Sequence, residues 1–67
     1  MNLNQRHITL LGALRRIKRP TRRGVIVAGA AGTTMASTKQ FDAALSELIA
    51  GGQVKTHDGW VLPIKEN

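Results

Sequence analysis

Apolar positions recur along this chain with two different periods. Leu3, His7, Leu10, Leu14 and Ile17 fall at i, i+4, i+7, i+11 and i+14, with Leu11 alongside. That spacing predicts an amphipathic helix from about Asn4 to Lys18. Gly12 weakens it by about 1 kcal/mol relative to Ala. Pro20 disfavours helical geometry at Arg19, so the helix should end before it.

A second helix is predicted over about 22–31, with Thr21 as N-cap and Gly32 just past its end. Val25, Ile26, Ala28 and Ala30 would be its small buried face. Gly24 and Gly29 oppose a helix, and Val25-Ile26-Val27 reads equally well as a strand. The third segment has the clearest pattern. Ser37-Thr38-Lys39-Gln40 fits a capping box. Phe41, Ala44, Leu45, Leu48 and Ile49 follow at i, i+3, i+4, i+7 and i+8, and Gly51-Gly52 ends the helix.

From Gln53 to Ile64 the period changes to two, with a turn at Asp58-Gly59. A two-residue loop would put Lys55 and His57 on the face of Trp60 and Leu62. A three-residue loop, His57-Asp58-Gly59, would pair Thr56 with Trp60 and Val54 with Leu62, placing Val54, Trp60 and Leu62 on one face. The second register buries more apolar surface and suits a type I turn with a bulge at Gly59, so it is the one expected. The tail Lys65-Glu66-Asn67 is expected to fray.

At 67 residues the chain is expected to form one domain spanning 1–67. A domain this small buries only about 60% of its unfolded surface, so the core is thin. With no cysteine it has neither disulfides nor a thiolate zinc site to staple it. The elements predict an α+β fold of three helices followed by a two-stranded hairpin. No stretch approaches a membrane span, and no signal-peptide pattern opens the chain, so a cytoplasmic protein is expected.

Charge sharpens the picture. The formal net charge is +6. Residues 1–23 hold seven Lys and Arg and no acid, whereas residues 24–67 hold three against four acids. Such asymmetry points to a polyanionic partner, nucleic acid before membrane surface.

The order of elements resembles the winged helix-turn-helix superfamily. Leu45, Leu48, Gly52 and Val54 occupy the superfamily's pattern for the recognition helix and first wing strand, and Trp60-Val61-Leu62 is similar to its returning strand. Thr21, Ala28 and Gly32 resemble the first helix of the motif and its turn. The resemblance implies a small winged helix that binds double-stranded DNA as a transcriptional regulator or architectural factor. It departs from the pattern in two respects: the second helix carries two glycines, Gly24 and Gly29, and the third carries Asp42 and Glu47 beside Lys39, so it is not basic.

With Phe41, Leu45 and Leu48 inward, the opposite face is Lys39, Ala43, Ser46 and Ala50. Short side chains there permit close approach in a major groove that just admits a helix. Thr38, Lys39, Gln40 and Ser46 are the candidates for base or groove contact, being near the helix start or on its open face. Arg15, Arg16, Lys18, Arg19, Arg22 and Arg23 are candidates for phosphate contact, giving affinity and register without sequence information. Thr34 and Ser37 at the helix N-terminus, and Lys55 on the wing, could add phosphate contacts. Pairing of two copies on a two-half-site operator would make a homodimer, although no extra apolar stripe marks an interface. The alternative is a winged-helix docking module for an acidic protein partner.

Other chemistries fit poorly. Gly24-Val-Ile-Val-Ala-Gly-Ala-Ala-Gly32 looks like a strand entering a phosphate loop but lacks the Gly-Lys-Ser/Thr ending. His7 and His57 have no metal-ligand spacing, and the four carboxylates are dispersed. No enzyme, metal or cofactor is expected.

Overall fold

The structure, a computed structural model, describes residues 3–65; of the expected frayed tail, Glu66 and Asn67 lie outside them. Among the described residues, three helices, α1 (Gln5–Arg16), α2 (Arg23–Thr34) and α3 (Thr38–Ala50), and three two-residue strands, β1 (Thr21–Arg22), β2 (Thr56–His57) and β3 (Trp60–Val61), follow in the order α1-β1-α2-α3-β2-β3. The fold is α+β, and its arrangement is consistent with a small winged helix. The strands form one antiparallel sheet in the order β1-β3-β2. The hairpin is thus joined by a third strand from the α1–α2 linker, a strand too short for sequence periodicity to reveal.

Helix α1 starts at Asn4, whose side chain accepts from His7 N–H while His7 Nδ1 accepts from Asn4 N–H. This is a capping box with His in the place usually held by Glu or Gln. His7, Leu10, Leu11 and Leu14 are its buried stripe, whereas Leu3, expected on that face, precedes the helix and is exposed, and Ile17 is half-buried beyond its end. The helix ends at Arg16, before Pro20 can interfere.

Helix α2 settles the helix-or-strand ambiguity in favour of the helix. Ile26, Val27, Ala30 and Ala31 are its buried face. Val25 and Ala28, expected inside, point outward. The expected caps are also corrected. Arg22, in extended geometry at the end of β1, is the N-cap, without a side-chain bond, and the Thr21 hydroxyl instead donates to the Arg19 carbonyl. The helix runs through Gly32 and closes at Met35, which takes the left-handed conformation (φ 61°). Gly32 faces open space, so nothing there forces an end.

Helix α3 matches its expected span. Ser37 caps it by accepting from Gln40 N–H at 3.2 Å. Phe41, Ala44, Leu45 and Leu48 are buried, and Ile49 is half-buried against the core. Its carbonyls at Leu48 and Ile49 accept from Gln53 and Gly52 N–H as Gly52 turns through φ 82°.

The hairpin register differs from the expected one. Thr56 pairs with Val61 and His57 with Trp60, leaving a two-residue Asp58-Gly59 loop with φ of 50° and 81°. Positive φ at both positions is a type I′ turn, whose twist matches the flanking strands and which Asp-Gly favours. Val61 is therefore the inward residue of β3, in place of Trp60 and Leu62, and it is buried together with Val54. Trp60 turns outward and is 38% exposed. β1 completes the sheet, pairing Thr21 with Val61 and Arg22 with Trp60. The chain after β3 is then strapped to α1 by Ile64 N–H donating to the Leu14 carbonyl at 3.1 Å.

Candidate functional site

The basic cluster is divided by the fold into groups with different surroundings. Arg15 and Arg16 occupy the exposed last turn of α1, where cations also favour the helix dipole. Lys18 and Arg19 follow on the exposed linker. None of these four is in an ion pair among the described residues. Arg22 lies in β1, with its guanidinium 3.9 Å from the centroid of the Trp60 ring, a cation–π stack across the sheet.

Arg23 is placed otherwise. It starts α2, and its guanidinium reaches across to the outward side of α3. Nε donates to Asp42 Oδ1 at 2.7 Å. Nη2 donates to the Asp42 carbonyl at 2.8 Å and to Ser46 Oγ. Asp42 and Ser46 are one turn apart, so a single planar fork spans both. The hydrogen bond from Arg23, with its charge, holds the Asp42 carboxyl below the usual carboxylate range against a small opposing effect of burial. Arg23 is thus tied to the protein's own helix, and the Ser46 hydroxyl is partnered internally.

The other acid of α3 is matched from α1. His7 is 3% exposed and its Nε2 lies 2.9 Å from Glu47 Oε1. Because Nδ1 accepts from Asn4 N–H, the proton sits on Nε2 and is donated to Glu47. Asp42 and Glu47, the two acids that made α3 look unsuited to an anionic partner, are therefore each held by a residue from a neighbouring helix.

What remains open on α3 is Thr38, Lys39, Gln40, Ala43 and Ala50, all exposed, with the Ser46 side chain beside the Arg23 fork. Arg22 and Arg23 are consecutive in the chain, one on the wing and one on α3, so these two surfaces adjoin. Lys55 is exposed next to β2 and shares a face with His57.

Two candidates ahead of α3, Thr34 at the end of α2 and the N-cap Ser37, are less available. The Thr34 hydroxyl donates to the Ala30 carbonyl at 3.2 Å, leaving no proton for a phosphate. Ser37 spends an acceptor lone pair on the cap but retains its own proton.

Besides the Arg23 fork, two features were not foreseen: the His7–Glu47 link and the Arg22–Trp60 stack. The first joins residues 40 apart in sequence, and no local pattern encodes it. The second follows from the Asp58-Gly59 turn, once its two-residue loop sets Trp60 outward opposite Arg22. No group of three or more His, Cys, Asp or Glu side chains that could hold a metal occurs among the described residues. No helix among them is long and apolar enough to cross a membrane. No family model, curated protein or solved structure matches this chain.

Proposed function

We propose that this protein binds double-stranded DNA as a small regulator or architectural factor, with the outward face of α3 in the major groove. Arg15, Arg16, Lys18, Arg19 and Lys55 contact phosphates in this reading, and Thr38, Lys39 and Gln40 meet groove atoms. A location in the cytoplasm, with the DNA, belongs to it.

The observation that carries the reading is the run of exposed cations at Arg15, Arg16, Lys18 and Arg19, in no ion pair among the described residues, together with the internal pairing of Asp42 on α3. An unpaired carboxylate at a phosphate-lined groove would oppose binding by like-charge repulsion. The Arg23 guanidinium offsets that repulsion at Asp42 from within the fold, whereas the neutral His7 ring orients Glu47 by a hydrogen bond without cancelling its charge. The exposed strip of small side chains at Ala43 and Ala50 then lets the helix approach the groove closely. In helix-turn-helix docking the residues near the helix start reach the bases, which here are Thr38 to Gln40.

The test is titration of a labelled duplex by fluorescence anisotropy with Ala43→Glu and Lys39→Ala. Ala43 is exposed and its replacement leaves the Arg23 fork intact. Each substitution is expected to weaken binding about tenfold, the effect of one unfavourable or missing charge at close range. Unchanged affinity for both would remove α3 from the interface.

A further inference from the structure

The outward side of the wing carries a surface that the DNA reading uses only at its edge, through Arg19. Trp60 stands between two open hollows of about 380 and 550 Å³. Arg19 and Pro20 line both. Leu62 and His57 complete one, and Ile17, Val25 and Arg22 help form the other. Val25 is 63% exposed despite its size. An indole, a proline ring and three aliphatic side chains thus converge on one concave patch, rimmed by two guanidinium groups.

The geometry points to a binding site for an acidic segment of a partner protein that carries a bulky apolar anchor. Neither hollow is lined by a carboxylate, although Asp58 at the turn lies 3.3 Å from His57 Nε2. Arg19 and Arg22 therefore face any occupant as cations suited to fork onto carboxylates. The lining itself selects the anchor. Ile17, Val25, Pro20 and Leu62 offer no side-chain donor or acceptor, the polar groups of the lining being Thr21, His57 and the two arginines beside Trp60. A nucleobase edge set against the aliphatic side chains would therefore lose hydrogen bonds that an aliphatic or phenyl anchor does not need. A second copy of this chain is disfavoured, because each copy has a net charge of +6 and would bring another basic rim to the same patch. Arg22 is already stacked on Trp60, so the rim is partly pre-organised before any ligand arrives.

Trp60 is the sole tryptophan, so its emission reports on this patch alone. The test titrates the intact protein with an acetylated, amidated peptide of sequence EDFDELED. A saturable change in Trp60 emission with a midpoint below about 1 mM is expected. Arg19→Glu, at an exposed linker position, should weaken it at least about tenfold by reversing one rim charge. Replacing the peptide's Phe and Leu by Ser should abolish it. Arg15→Gln with Arg16→Gln should leave peptide binding unchanged while lowering affinity for duplex DNA, so failure of the DNA reading and failure of this one are distinguishable. No saturable change up to about 1 mM, or equal binding by the Ser peptide, overturns the proposal. Tighter saturation of Trp60 by an oligothymidylate overturns it in favour of a nucleobase site.

Discussion

Replacing His7 tests how the first helix is held to the third. Among the described residues His7 is the one buried polar side chain, and it makes two bonds through its two ring nitrogens. His7→Ala removes the acceptor for Asn4 N–H, worth about 1 kcal/mol as a lost cap bond. It leaves a ring-sized void of about 60 Å³, which at about 24 cal/mol per Å³ adds about 1.5 kcal/mol. The Glu47 bond adds little, because that carboxylate is 60% exposed and water replaces the lost donor. The total is about 2.5 kcal/mol, against an overall stability of roughly 3–10 kcal/mol for a domain of this length. At about 4–8 °C per kcal/mol, thermal unfolding followed by circular dichroism should show a fall of about 10–20 °C. His7→Gln keeps an acceptor at the capping position and fills part of the void, so its loss should be less than half as large. A His7→Ala protein melting within about 3 °C of the parent would refute the buried capping role. A Gln variant as damaged as Ala would show that the cap bond is not what matters.

Three further expectations concern separate elements. Gly29 lies inside α2 with open space where a Cβ would go, so Gly29→Ala should stabilise the fold by about 1 kcal/mol, read as a rise of about 4–8 °C in Tm. Gly59 sits at φ 81° in the type I′ turn, so Gly59→Ala should cost about 1 kcal/mol and lower Tm correspondingly; no change would argue against that turn. Arg23→Gln should lower Tm near neutral pH, because the depressed Asp42 pKa means its pairing stabilises the fold above the unfolded carboxylate's pKa of about 4. That difference should shrink as pH falls through the lower folded value, and melting the two proteins from pH 7 down to about pH 2 checks the sign.

Much of the architecture is legible in the sequence for specific reasons. In α3 the helical spacing of Phe41, Ala44, Leu45 and Leu48, with Ser37 ahead of it, agrees with burial and cap alike. The stripe of α1 is equally plain, including the apolar-face position of His7. The hairpin register was misread because apolar size was weighed above turn chemistry. Trp60 and Leu62 are larger than Val61, yet Asp58-Gly59 dictates a two-residue loop, and Trp60 recovers part of its burial under Arg22. The second helix was ambiguous because β-branched residues and glycines argue for a strand locally. Packing of Ile26, Val27, Ala30 and Ala31 into the core overrides that preference. Within the candidate site, the exposed cations at 15, 16, 18 and 19 were readable from charge alone, since solvated charges need no partner. The role of Arg23 was not, because its partners lie 19 and 23 residues further on and only the crossing of α2 over α3 brings them together.

The central claim is that a basic surface anchors this protein on duplex DNA. The most direct measurement is the affinity for a random-sequence labelled duplex across a salt series. With roughly four to six phosphates neutralised by the exposed cations, log affinity should fall against log salt with a slope of about −4 to −5. Arg15→Gln with Arg16→Gln should make that slope shallower by about 2. Absence of binding at low salt, or a slope flatter than about −1 in the parent protein, would contradict the account.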